Sequence, residues 1–245
     1  MNTFLILAFL FFIGSVCGWV LEVIFRRFFS SKNPQRKWIN PGFCTGPYLP
    51  LYGCGLCLLY LLASLEGRRL IADPTWNRVA LFACMAIAMT VIEFIAGWVS
   101  LHVFHVRLWD YSDQWGNIEG IICPKFSLAW ALLGAAYYFL VHPHILNVLD
   151  WLSKNLAFSF VIGLFFGIFI IDVLHSANLY ATMQRFAKEN DVVVLFDLLK
   201  EHIRSLQEEA GQKYRFFRSF KSQSPLDKLM SELSASFEKR HPKKK

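Results

Sequence analysis

Apolar residues come in five long blocks, separated by short stretches that are polar or rich in glycine and proline. The blocks cover about 4–25, 47–65, 79–103, 126–141 and 156–174. Runs of roughly 20 residues with few charges predict membrane-spanning helices, because a rise of ~1.5 Å per residue carries such a helix across a hydrocarbon core of ~30 Å. The fourth block is short and could start deeper, near Pro124. The pattern changes after residue 175. Leu195, Leu198, Leu199, Ile203 and Leu206 form a helical stripe within 192–210, and aromatic and basic residues alternate over 213–221. Ser224 and Pro225 then suit the cap and first turn of a last helix, with Leu226, Leu229, Leu233 and Phe237 on one face. The expected fold is an all-α membrane protein: five transmembrane helices in a bundle over 1–175, then a cytoplasmic amphipathic helical tail over 176–245.

Composition supports the membrane reading. The chain is 55% hydrophobic with a mean hydropathy of +0.39, which argues against an ordinary soluble domain. Charge sets the orientation. With the N-terminus outside, the inner side carries 21 Lys/Arg and the outer side 4, and cytoplasmic segments hold the excess of positive residues. The expectation is a multi-pass protein of the cell inner membrane, N-terminus out and C-terminus in, with the lipid bilayer as its first partner. No basic start or small-residue cleavage site marks a removable leader. The basic, aromatic tail suits an anionic leaflet surface; no nucleic-acid module surrounds it, so nucleic acid is not an expected partner.

Two halves of the bundle resemble each other. Gly18-Trp19 matches Gly97-Trp98 and Phe25 matches Phe104 at an offset of 79, while Asn40 matches Asn117 and Pro47 matches Pro124 at 77. The halves, about 4–77 and 79–154, read as a parallel repeat of two spans each; 156–174 is an added span. Gly14 with Gly18, and Gly163 with Gly167, are small-xxx-small pairs that let helices approach closely, within one chain or between two. A chain with so few spans suggests a homodimer.

The candidate site is organised by the stretch Asn40-Pro-Gly-Phe-Cys-Thr-Gly-Pro-Tyr-Leu-Pro-Leu-Tyr-Gly-Cys-Gly55 and its fainter copy Asn117-Ile-Glu-Gly-Ile-Ile-Cys-Pro124. Proline removes a backbone donor and glycine permits unusual dihedrals. Non-helical backbone at membrane depth survives only inside protein or beside a wet cavity, and paired interruptions in two halves point to a substrate site. A plain hairpin between spans would carry the same residues. The candidates for the substrate path are Glu22, Glu93, Asn40, Gly42, Gly46, Pro47, Tyr52, Trp109, Asp110, Tyr111, Asn117, Asp172 and His175. A carboxylate in a span costs about 2.5–3.5 kcal/mol on insertion scales, so it needs a partner or a role. Glu22 has Arg26 at i,i+4. Glu93 has no charged neighbour within two turns, so it could meet a substrate, a proton or an inner-loop arginine. Asp172, His175 and Ser176 share a helix face, as a proton relay or as a hydrogen-bonded lock. Asp110 and Ser112 could cap a helix or bind loop backbone.

Two other chemistries have weaker signatures. Cys54 and Cys57 spell C-x-x-C without the fold that gives it redox meaning, which leaves small packing residues or a thiol oxidoreductase. His102, His105 and Asp110 could hold a metal for hydrolysis, or sit at the interface. No G-x-x-x-x-G-K-[ST] sequence is present, so ATP hydrolysis needs a separate subunit. No cofactor is expected.

The series Gly14-Ser-Val-Cys-Gly-Trp-Val-Leu-Glu22, Asn40 to Gly53, Glu93, Trp109-Asp-Tyr-Ser112, Asn117-Ile-Glu-Gly120 and Ser127-Leu-Ala-Trp130 resembles the CmpB-like family, labelled as an ABC transporter type IV permease, with small eukaryotic transmembrane relatives. The resemblance covers roughly 8–175. It implies a permease or transport component of unknown substrate, working with a separate ATPase subunit. Pro41 stands where the family pattern suggests arginine, and Pro124-Lys125 where it suggests an apolar residue. Both prolines stiffen the loops they enter. The rival reading is a membrane interaction or lipid-sensing protein that works through its tail.

Overall fold

The computed structural model describes residues 3–30, 33–68, 71–190 and 194–195. The chain divides into two units, Met1–Trp98 with Asp110–Asn178, and Val99–Trp109 with Leu179–Lys245. The helices are α1 (Thr3–Phe28), α2 (Pro50–Ala63), α3 (Pro74–Trp98), α4 (Pro124–Ala136), α5 (His142–Ser153) and α6 (Leu156–Asn190). Four stretches, Thr3–Phe28, Pro74–Val103, Pro124–Ile145 and Ala157–Ala177, are long and apolar enough to cross a membrane. The second apolar block yields a shorter helix. With 14 residues, α2 is only ~21 Å long at ~1.5 Å per residue.

Proline sets both interior starts. Pro50 opens α2 and Pro124 opens α4, each preceded by an extended residue, Leu49 at φ −120° and Cys123 at φ −152°. A missing N–H costs nothing at a first turn, and proline pushes its predecessor out of the helical region. By helix start, Pro124 corresponds to Pro50, whereas the sequence alignment paired it with Pro47, which lies exposed on the loop.

The segment after the fourth block is not the plain connection that its polarity suggested. A π turn over Tyr137–Val141 leads into α5. Pro143 cannot donate to the preceding turn, and a widened turn accommodates that loss. Ile145, Leu149 and Leu152 recur at helical spacing and pack against Phe9 and Leu10 of α1.

Glycine governs the contact of α1 with α2. A Cβ on Gly18 would stand 2.2 Å from Tyr52 Cγ, and one on Gly53 2.2 Å from Ser15 Oγ and 2.7 Å from the Phe11 carbonyl. The Gly14/Gly18 pair is thus spent inside the chain. By contrast, among the described residues a Cβ on Gly163 or Gly167 would meet nothing within 4 Å. Lipid tails are as apolar as leucine, so close packing rather than water exclusion holds such helices together. The outward faces agree, with Ile87, Val91 and Ile95 of α3 and Phe160, Leu164 and Ile171 of α6 exposed.

A phenylalanine seam joins α6 to α1 and to the first loop. Phe11 meets Phe166 and Phe169 at 5.9 and 5.3 Å, Phe12 meets Phe165 at 4.6 Å, and Tyr48 sits edge-on to Phe165 and Phe169. On α3 the buried positions are Asn77, Leu81, Met85, Met89, Glu93 and Gly97, one every fourth residue. That spacing makes a single inward stripe, and Glu93 occupies it where the pattern calls for an apolar side chain.

In the second unit, Val106–Arg107 pairs in parallel with Val194–Leu195. Residues 194–195 are therefore strand where the tail was expected to be helical. The run Val192-Val-Val194 explains it, since β-branched side chains favour extended backbone. The remaining tail expectations, including the last helix, lie outside the described residues.

Candidate functional site

Two irregular loops flank the interior helix starts, and each is held by an asparagine. Asn40 accepts from the Trp19 indole N–H at 2.5 Å and donates to the carbonyls of Thr45 at 2.8 Å and Cys44 at 3.4 Å. Asn117 donates to the carbonyls of Gln114 at 2.9 Å and Ser112 at 3.2 Å and accepts from the Gly120 amide at 3.0 Å. Glycines supply the turns that other residues resist, with Gly42 at φ +84°, Gly116 at +66° and Gly120 at +68°. The first loop is buried deeply: Pro41 and Cys44 are fully enclosed and Tyr48 is 3% exposed. Its backbone therefore has to find partners within the protein.

Asp172 of α6 supplies them. One carboxylate oxygen accepts from the Thr45 amide at 3.3 Å and from the Thr45 hydroxyl; the other accepts from the Gly46 amide at 2.9 Å and from the Tyr48 hydroxyl. Ser176 Oγ stands 3.5 Å away, one turn on. The Leu49 amide donates to the Ser15 carbonyl at 2.9 Å, tying the same loop to α1. Of the three residues grouped on one helix face, Asp172 and Ser176 are buried and His175 is exposed. The geometry is that of the hydrogen-bonded lock, with the loop as its second half.

Glu22 and Glu93 form a different arrangement. Glu22 is half-buried, accepts from Arg26 Nε at 2.9 Å and from the Tyr52 hydroxyl at 3.1 Å. Tyr52 stacks obliquely on Trp130 of α4, centroids 4.8 Å apart. Glu93 is 2% exposed. Its Oε1 accepts from the Tyr111 hydroxyl at 3.2 Å, and the Trp130 indole N–H lies toward the same carboxyl. Among the described residues Oε2 has no partner within hydrogen-bond geometry. Among the described residues no arginine or lysine pairs with Glu93, so the inner-loop arginine is not its counter-ion. Tyr111 in turn stacks on Phe126 at 4.3 Å and 11°. Glu22, Tyr52, Glu93, Tyr111 and Trp130 thus come together as one cluster of two carboxylates and three rings.

The other candidates lie elsewhere. Asp110 accepts from the amide and hydroxyl of Ser112, binding its own loop backbone. Trp109 belongs to the second unit with His102 and His105. Among the described residues no three His, Cys, Asp or Glu side chains converge as metal ligands. Cys54 is exposed, and the Cys57 thiol donates to the Leu7 carbonyl at 3.2 Å, a packing contact between α2 and α1.

A cavity of about 590 Å³ opens at the other ends of α2 and α3, lined by residues that include Glu66, Asn77, Arg78 and His142. Sequence reading did not select it. The signal in the sequence was an asparagine and an arginine just before the third apolar block. Glu66 accepts from Arg78 Nε at 2.8 Å, which holds its carboxyl below the ordinary carboxylate range. Between this cavity and the Glu93 cluster lies a packed layer that includes Leu59, Met85 and Met89.

A family model described as "Putative ABC-transporter type IV" matches residues 9–177, which include both loops, both glutamates and Asp172. No curated protein and no solved structure matches the chain.

Proposed function

We propose, because this chain belongs to the ABC-transporter type IV family of the CmpB kind, that it is the membrane-embedded, substrate-conducting part of a transporter. ATP hydrolysis comes from a separate subunit, since the sequence has no phosphate-binding loop of the required form. In this reading the chain crosses the inner membrane five times, N-terminus out and C-terminus in, with α2 and the buried loop before it making the second crossing. The two asparagine-braced loops then face the cytoplasm and the 590 Å³ cavity faces outward. The layer of Leu59, Met85 and Met89 closes the path between them. A second copy would pack on the open Gly163/Gly167 notch.

The observation that carries the proposal is Glu93. Taking an ionisable group into a membrane bundle is costly, and such groups face bundle interiors or water-filled paths. Glu93 sits in the inward stripe of α3, with one oxygen that no donor among the described residues satisfies. A purely structural carboxylate would be saturated, as Asp172 is.

Water access tests the path. In a chain freed of its six cysteines, Glu93→Cys is expected to react with a charged, membrane-impermeant thiol reagent from the cytoplasmic side, and faster during ATP turnover by the assembled complex. A cysteine at 93 that stays unreactive from both sides, with and without ATP, would sink the reading. For the partner, the purified complex is expected to hydrolyse ATP at a rate that the intact chain raises.

A further inference from the structure

We infer that Glu93 is a proton-binding site: in the closed arrangement its carboxyl is a neutral acid, and it releases that proton to water when the path opens to Oε2. The inference deepens the transport reading, on which its role in a cycle rests, while the protonation itself stands on the geometry of this cluster.

An ionised carboxylate removed from water needs a cation or several donors, and without them it neutralises. Glu93 is 2% exposed and has one hydroxyl donor, Tyr111, at 3.2 Å, beside the Trp130 indole. Among the described residues its Oε2 has no donor. The titratable and charged groups around it are Glu22 and Arg26 from α1, Tyr52 from α2 and Tyr111 from the second loop, with the Trp130 indole from α4. Arg26 is the cation of this set, and it is committed to Glu22 at 2.9 Å. Glu22, the carboxylate of that ion pair, lies in the same cluster, and a like charge opposes a second ionised carboxylate nearby. Its neighbours one and two turns back on α3, Met89 and Met85, are apolar and buried.

Asp172 is the internal control. It is 7% exposed, comparably enclosed, yet two hydroxyls and two amides point at its oxygens. That is how this fold supports a buried carboxylate as an anion, and Glu93 has nothing equivalent. A proton also requires no cavity, which suits a site packed by rings. The step balances simply: breaking the O–H bond leaves the carboxylate and passes one proton to water, and closure reverses it.

Infrared spectroscopy of the full chain in lipid bilayers decides the matter. The wild-type minus Glu93→Gln spectrum at neutral pH is expected to show the C=O band of an unionised carboxylic acid. A carboxylate band in its place overturns the proposal. As Glu93→Gln could perturb the fold, a pH difference spectrum of the wild type is the second measurement: the acid band should convert to carboxylate as pH rises. Tyr111→Phe should shift the acid band to higher frequency by removing its hydrogen bond, and an unmoved band would place the acid elsewhere. An acid band together with an unreactive cysteine at 93 would keep the proton site and discard the transport path.

Discussion

Two buried carboxylates in this bundle have opposite surroundings. Asp172 lies where two loop amides and two hydroxyls converge. Glu93 lies where three aromatic residues converge, and among the described residues one hydroxyl and the Trp130 indole reach it, with Oε2 left over. The first has donors on both oxygens and holds α6 to the loop before α2. The second has its donors on one side, and among the described residues its Oε2 has none. Burial alone therefore does not distinguish the two acids; the donors around each oxygen do.

The largest test of this contrast is Asp172→Ala. It strands two amides and two hydroxyls, each costing about 1–3 kcal/mol when buried unpaired, so a loss of roughly 3 kcal/mol or more is expected in detergent unfolding. Asp172→Asn should fall between, because an amide oxygen can still accept from part of the set. Next comes Gly53→Ala. Its Cβ would meet Ser15 Oγ and the Phe11 carbonyl, and overpacking of this kind costs about 1–3 kcal/mol; Gly167→Ala, with open space around it, should stay within about 0.5 kcal/mol. Glu93→Gln sharpens the comparison most. If the acid is already neutral, the isosteric amide should leave stability within about 1 kcal/mol of wild type. A large loss there would make Glu93 a lock like Asp172.

The smallest effect belongs to Glu66 and Arg78. The Glu66 carboxyl is lowered chiefly by the bond that Arg78 donates. A lowered folded value means that its contribution is present above the unfolded carboxylate range and fades as pH falls through the folded value. Wild type and Arg78→Gln should therefore differ slightly in unfolding temperature at neutral pH and converge on acidification. The pair is largely exposed, so the difference should be close to the resolution of the measurement.

Much of the bundle was legible because it rests on local rules. Glu22 and Arg26, four apart, do pair. Pro124 does begin its helix; Asn40 and Asn117, read from the sequence as path residues, are seen to brace their turns. What was not legible depends on distance in sequence. Asp172 and Thr45 are 127 residues apart, and no spacing rule joins them. Nor could spacing say that Gly18 meets Tyr52 while Gly167 meets none of the described residues. The α5 stripe of Ile145, Leu149 and Leu152 was present in the residues, but His142-Pro143 and a short apolar content read as connection. At Val194–Leu195 two regularities competed, a leucine period and a β-branched run, and the latter prevailed.

The clasp between Asp172 and residues 45–48 also bears on biogenesis. A ribosome makes the loop early and the carboxylate more than a hundred residues later. Until the last long helix inserts, the amides of Thr45 and Gly46 lack the acceptor that the finished protein gives them. A nascent chain stopped short of residue 172 would carry that exposed polarity into the bilayer, a mark by which membrane quality control could tell an unfinished chain from a finished one.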